Sequence, residues 1–135
     1  ANSTASEIAK VISQLPELRI LSIDKQFSLE DLEEISEGAL KLETIILNRR
    51  GWEVYDAYLM PLAKLPRLKR LDIKMCPGDL TGAGLLEFVK KMEKDPNGQH
   101  DGFRFTIAKL WLSGIWFTKD KVNEVKDYIK RAFNG

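Results

Sequence analysis

Few residues in this chain are of kinds that do chemistry, and their spacing limits what they can do. His100 is the single histidine, set in the polar stretch DPNGQHDG. Alone in a loop, it reads as a solvated side chain rather than a general base. Cys76 is the single cysteine, so no internal disulfide framework is possible. One His and one Cys make no zinc set and no Cys–His or Ser–His arrangement. Cys76 reads instead as a buried thiol bonding a turn. The phosphate-cradling pattern G-x-x-x-x-G-K-[ST] is missing. Gly78, Gly82 and Gly84 fall between a strand pattern and a helix pattern, where backbone N–H groups can hold a phosphate. The bland alternative, turn glycines, fits the whole segment better. No enzyme chemistry follows, and no cofactor is implied. What remains is recognition chemistry. Lys64, Arg67, Lys69, Arg70 and Lys74 form a basic run against Asp72 alone, while Glu30, Asp31, Glu33, Glu34 and Glu37 are acidic without a base. Such runs are usually solvated faces; the basic one could also meet an acidic protein or a phosphate backbone.

The elements that hold these residues are legible around LPRLKRLDIKMCPGDLTGAGLLEF, residues 65–88. Leu71 and Ile73 alternate with Arg70, Asp72 and Lys74, the period of a strand with one covered face. Pro77-Gly78-Asp79 is turn chemistry. Thr81 is placed to cap a helix carrying Leu85, Phe88, Val89 and Met92 at helical spacing.

LPELRILSID upstream aligns with LPRLKRLDIK position for position, Leu15, Pro16, Leu18, Leu21 and Ile23 against Leu65, Pro66, Leu68, Leu71 and Ile73. ALKLETIILN supplies Leu42, Ile45 and Leu47, with Ala39 for the leading Leu. FTIAKLWLSG supplies Ile107, Leu110 and Leu112. Leu18 to Leu42 is 24 residues, Leu42 to Leu68 is 26 and Leu68 to Ile107 is 39. The last interval needs an insertion, for which DPNGQHDG is the candidate. Helical patterns lie between: a first helix near 6–15 ended by Pro16, then one capped by Ser28 and stopped by Gly38. VYDAYLMPLAKL follows, in which Pro61 implies a late start or a kink, and a final helix near 118–133 is capped by Thr118.

The central unit resembles a leucine-rich repeat of the cysteine-containing kind found in F-box proteins and their relatives. Leu68, Leu71, Ile73, Cys76, Leu80, Thr81, Gly84 and Leu85 match that pattern in order and spacing. The first two intervals also suit repeats of about 20–29 residues. The resemblance implies a non-enzymatic protein-recognition module or scaffold, with substrate recognition beside an F-box as one form of it, although no F-box is recognisable. Alternative readings are nucleic-acid binding through residues 64–74 and Trp111, and an α/β enzyme.

Strand followed by helix, repeated, requires parallel strands joined by right-handed crossovers. A doubly wound sheet would bury both faces. Here Arg19 and Ser22, Arg70 and Asp72, and Lys109 and Ser113 put polar groups at alternate positions. The expected fold is therefore α/β: a short right-handed leucine-rich-repeat solenoid in one domain, residues 1–135. Units start near 15, 39, 65 and 104, about four parallel strands line the concave face, and helices lie on the convex face. The expected partner-binding residues are Ile20, Ser22, Thr44, Ile46, Asn48, Arg70, Asp72, Lys74, Lys109 and Trp111, with Asp24 and Ser113 at the margins. Their middle row reads Ser22, Ile46, Asp72, Trp111. An exposed Trp beside Arg and Lys has the composition of a protein-binding hot spot. Trp52 and Trp116 read as packing residues.

Four strands about 4.8 Å apart make a face of only a few hundred Å². A standard footprint is about 800 Å². Loops Lys25–Phe27, Arg49–Trp52 and Met75–Asp79 must contribute, or the domain is part of a larger binding unit. Composition agrees with a folded chain: 44% hydrophobic, 30% charged, net charge +1. It is no polycation, and no apolar run approaches the roughly 20 residues of a membrane span. No leader is visible, and one cysteine suits a reducing compartment, so an intracellular site, cytoplasmic or nuclear, is expected. The start ANSTAS, without Met, fits a processed or excised chain.

Overall fold

The computed structural model describes residues 3–48, 55–74, 80–107 and 119–134. Cys76 and the 77–79 turn, Trp52 and Trp116, Lys109, Trp111 and Ser113, the Thr118 cap and the 49–52 loop lie outside them. So do Leu110 and Leu112.

The elements alternate: α1 (Ser3–Ser13), β1 (Ile20–Ile23), α2 (Leu29–Gly38), β2 (Thr44–Asn48), α3 (Asp56–Leu62), β3 (Arg70–Lys74), α4 (Gly82–Glu93), β4 (Arg104–Ile107) and α5 (Lys119–Phe133). Among the described residues, the strands form one four-stranded parallel sheet in the order β1-β2-β3-β4. Helices also neighbour one another in chain order, each packing on the next. Among the described residues, no helix is long and apolar enough to cross a membrane.

Local chemistry explains the boundaries. Ser28 caps α2 through its Oγ, which accepts from the Asp31 N–H at 3.1 Å, while Asp31 Oδ2 accepts from the Ser28 N–H at 3.1 Å. This reciprocal cap satisfies two N–H groups that the first turn leaves free. Gly38 is the last residue of α2, and a Cβ on it would fall 1.9 Å from the Ser13 carbonyl oxygen. Glycine there is what lets α1 and α2 approach. The first helix begins earlier than its spacing suggests, at Ser3, and ends before Pro16. Of the late start or kink expected at Pro61, the late start is not found: α3 begins at Asp56, five residues before the proline, and ends one residue after it. Pro61 is the sixth of seven residues, so only the bond to the Ala57 carbonyl is forfeited.

Ile23, Ile45, Leu47, Leu71, Ile73 and Phe105 are buried, together with Leu32, Ile35, Leu59, Leu85, Phe88 and Val125 from the helices. At about 25 cal/mol per Å², burying one such side chain contributes roughly 1.5–3 kcal/mol. The intervening strand positions Ser22, Asn48, Arg70, Lys74, Arg104 and Thr106 are exposed, and Thr44 and Ile46 are half-buried.

Four turns of the same form precede the strands: Leu18 N–H to Leu15 O, Leu42 to Ala39, Leu68 to Leu65 and Phe103 to His100, at 2.9–3.4 Å. The turn corrects the reading of His100. It is only 4% exposed and takes in the fourth turn the place that Leu15, Ala39 and Leu65 hold in the others. Its Nδ1 donates to the Leu68 carbonyl at 2.7 Å, and its ring meets the edge of Phe133 with centroids 5.6 Å apart.

The fourth strand also differs from expectation. Phe105 and Ile107 are in register with Leu71 and Ile73, where the pattern suggested Leu110 and Leu112. Leu71 to Phe105 is 34 residues, against 24 from Leu21 to Ile45 and 26 from Ile45 to Leu71. Phe103 and Phe105 are aromatic and flank a polar loop, so they lack the Leu-x-x-Leu-x-Leu signal. Buried Phe103 nevertheless packs against both Phe88 and Phe133.

Candidate functional site

The strand positions that alternate with the core fall into rows set by register. One row reads Ile20, Thr44, Arg70, Arg104, and the next Ser22, Ile46, Asp72, Thr106. The second row ends in Thr106, which corrects the expectation of Trp111 there. Ile20 is the most exposed large apolar side chain described, at 63%. Asn48 and Lys74 pair at the far end of the strands. The structure thus brings together Ile20, Ser22, Thr44, Ile46, Asn48, Arg70, Asp72 and Lys74. Lys109 and Trp111 lie outside the described residues, as does the contribution expected from loops 49–52 and 75–79.

Asp72 departs from the expected pattern. It shares the face of Arg70 and Lys74 yet is only 1% exposed. Its neighbours cover it: Arg70 Nε donates to it, lying 3.1 Å from Oδ1 and 3.0 Å from Oδ2, and Thr106 Oγ1 donates to Oδ1 at 2.8 Å. Burial opposes ionisation, but these hydrogen bonds and the charges of Arg70 and Lys74 outweigh it, holding the carboxyl below its ordinary range. The side chain is a braced anion beneath Arg70, not a freely exposed contact. Arg104 and Thr106 were missed because the strand was placed five residues too late. The missed signal was the alternation Arg104, Phe105, Thr106, Ile107 itself.

The glycines after the third strand have their own explanation. Asp56, the first residue of α3, accepts from the Thr81 N–H at 2.8 Å and from Thr81 Oγ1 at 2.7 Å. Thr81 Oγ1 in turn accepts from the Gly84 N–H at 2.9 Å. A Cβ on Gly84 would lie 2.0 Å from the Asp56 carboxyl carbon, so the carboxylate occupies the space a side chain would take. The positive end of α4 already holds an anion from within the chain. An external phosphate would have to displace it, which leaves turn packing as the role of Gly84. Gly78 lies outside the described residues. No group of three or more His, Cys, Asp or Glu suited to a metal occurs among the described residues.

Two ion pairs line the loops before β1 and β2: Arg19 with Glu43 at 2.6 Å and Lys41 with Glu17 at 2.9 Å. Each joins residues 24 apart, the interval between the first two strands. Lys64 and Lys69 are exposed, and Arg67 is half-buried.

Compared with protein-family models, the chain matches none. Compared with curated proteins, it has no match either.

Proposed function

We propose that this chain is a leucine-rich-repeat-type solenoid domain that recognises a protein partner through the uncovered face of its sheet, without catalysing a reaction. The strand order follows the chain, the helices stack in the same order, and the four pre-strand turns recur in one form. The carrying observation is the exposure of Ile20, Ser22, Arg70, Arg104 and Thr106 opposite the buried Leu and Ile positions. In a doubly wound fold those residues would lie under helices. Such a domain fits the recognition part of a larger intracellular assembly, an F-box-type ubiquitin ligase among them. The small width of four strands is the physical reason for a larger unit.

Selection of random twelve-residue peptides on the protein tests this reading. The control is Ile46→Arg, which places a bulky charge at the centre of the face. Peptides held by the wild type and released by Ile46→Arg support the proposal. Peptides held equally by both, or no peptides at all, overturn it.

Nucleic-acid binding through Lys64, Arg67, Lys69, Arg70 and Lys74 is the second reading, favoured by the adjacency of exposed Arg70 and Arg104. Phosphate contacts make affinity fall about one decade per decade of salt for each phosphate neutralised. Undetectable RNA and DNA binding at low salt removes this reading.

A further inference from the structure

We infer that Arg70 and Arg104 form a fork for one carboxylate of an acidic peptide, and that Ile20 receives an apolar side chain of the same peptide four residues away; this rests on the partner-binding role of the open sheet face. Arg70 and Arg104 are register partners on adjacent parallel strands, and both are exposed. Neighbouring parallel strands lie about 4.8 Å apart, so the two side chains reach a single anion together. Among the described residues, the Arg104 guanidinium has no hydrogen-bond or ion-pair partner. Arg70 uses only its Nε on Asp72. That contact leaves the two terminal nitrogens of Arg70 for a bidentate bond to a carboxylate, the strongest geometry a guanidinium offers.

Asp72 explains why this fork is built rather than incidental. A carboxylate at 1% exposure carries a desolvation cost that an apolar residue at the same position would avoid. What it supplies is a fixed orientation for Arg70, with Thr106 bracing the other side. A long, free arginine would lose rotamer entropy on binding, and one already held loses less.

The row sets the rest of the ligand. From Ile20 across Thr44 to the midpoint of Arg70 and Arg104 is about 2.5 strand spacings, roughly 12 Å. An extended peptide advances about 3.3 Å per residue and returns to the same face at even spacing. Residues four apart therefore span about 13 Å and both face the sheet. The preferred ligand has an aliphatic residue four positions from Glu or Asp and crosses the strands.

The probe is an acetylated nine-residue peptide with Leu at position three, Glu at position seven and Ser or Gly elsewhere, titrated into ¹⁵N-labelled protein. The expected result is shifts at the Ile20, Thr44, Arg70 and Arg104 amides, with affinity at least tenfold weaker for the Glu→Gln peptide. Arg104→Gln gives the same loss, and moving the Glu to position six weakens binding severalfold. Arg104→Glu combined with a Glu→Lys peptide restores binding, which separates charge recognition from a folding defect. Binding that is released by Ile46→Arg yet indifferent to Arg104→Gln overturns the fork and spares the open-face reading. Binding indifferent to both variants, or no binding by any peptide of the set or by selected twelve-residue peptides, overturns both. Tighter binding of a ten-nucleotide single-stranded RNA, lost in Arg104→Gln, assigns the arginine pair to nucleic acid and overturns the peptide.

Discussion

The junction between α3 and α4 and the junction between the fourth turn and α5 solve the same problem by opposite means. Each must close a backbone turn against the neighbouring unit. At the first, a carboxylate does it: Asp56 takes two hydrogen bonds from Thr81, which caps Gly84. At the second, rings do it: His100, Phe103 and Phe133 meet edge to face, and the Gly102 N–H donates to the Phe133 carbonyl at 2.6 Å. Polar closure depends on a space only glycine leaves open. Aromatic closure depends on volume. The two junctions should therefore fail under different substitutions.

The largest expected effect is at the aromatic junction. Phe103→Ala removes a fully buried ring that touches Phe88 and Phe133 and should cost about 3–5 kcal/mol in denaturant unfolding. A cost below about 1 kcal/mol would show that the last unit does not share the core. Gly84→Ala comes next. Its Cβ collides with the Asp56 carboxylate, so about 2–3 kcal/mol should be lost. Pairing Gly84→Ala with Asp56→Ala should recover part of that loss, because the colliding group is gone. Strict additivity would disprove the collision. His100→Leu sharpens the comparison further. Two of the other turns bury Leu65 or Ala39 there, so the change should stay within about 1 kcal/mol even though a hydrogen bond to Leu68 is lost.

Acid titration probes the open face rather than either junction. The Asp72 carboxyl is held low in the fold by Arg70, Thr106 and Lys74. Its contribution is therefore complete above the unfolded value of about 3.9 and disappears as pH falls through the lower folded value. Asp72→Asn should flatten the fall in stability below about pH 4 and leave the slope near pH 7 unchanged. An identical acid limb in both proteins would separate Asp72 from the linkage. Ser36→Ala is the smallest change. The Ser36 hydroxyl is buried without a hydrogen-bond partner among the described residues, so its removal should be neutral or stabilise by up to about 1 kcal/mol.

The strand-and-helix alternation, the parallel sheet and the Ser28 and Thr81 caps were legible because each is a short-range matter. Alternation of Leu71 and Ile73 with Arg70 and Lys74 assigns faces within five residues, and a cap is decided within four. The fourth strand was misplaced for the same reason. AKLWLSG carries the better leucine pattern, while RFTI carries the pairing, and the choice is made by β3, 34 residues away. Of the candidate site, the positions of the first three strands that alternate with the core could be read from periodicity, but not that Asp72 is buried among them. Arg104 and Thr106 depended on that long-range register.

By itself, the order of residues determined which side chains alternate, where Ser28 and Thr81 cap their helices, and that strands must run parallel. Those properties follow from backbone geometry and from capping groups a few residues apart. Tertiary structure alone decided that His100 is enclosed, that Asp56 fills the start of α4, and that Asp72 is shielded beneath Arg70. Each depends on a partner some 25 to 34 residues distant in the chain, namely the Leu68 carbonyl, Thr81 and Thr106. Burial is a property of what packs over a side chain, and no local pattern encodes its cover.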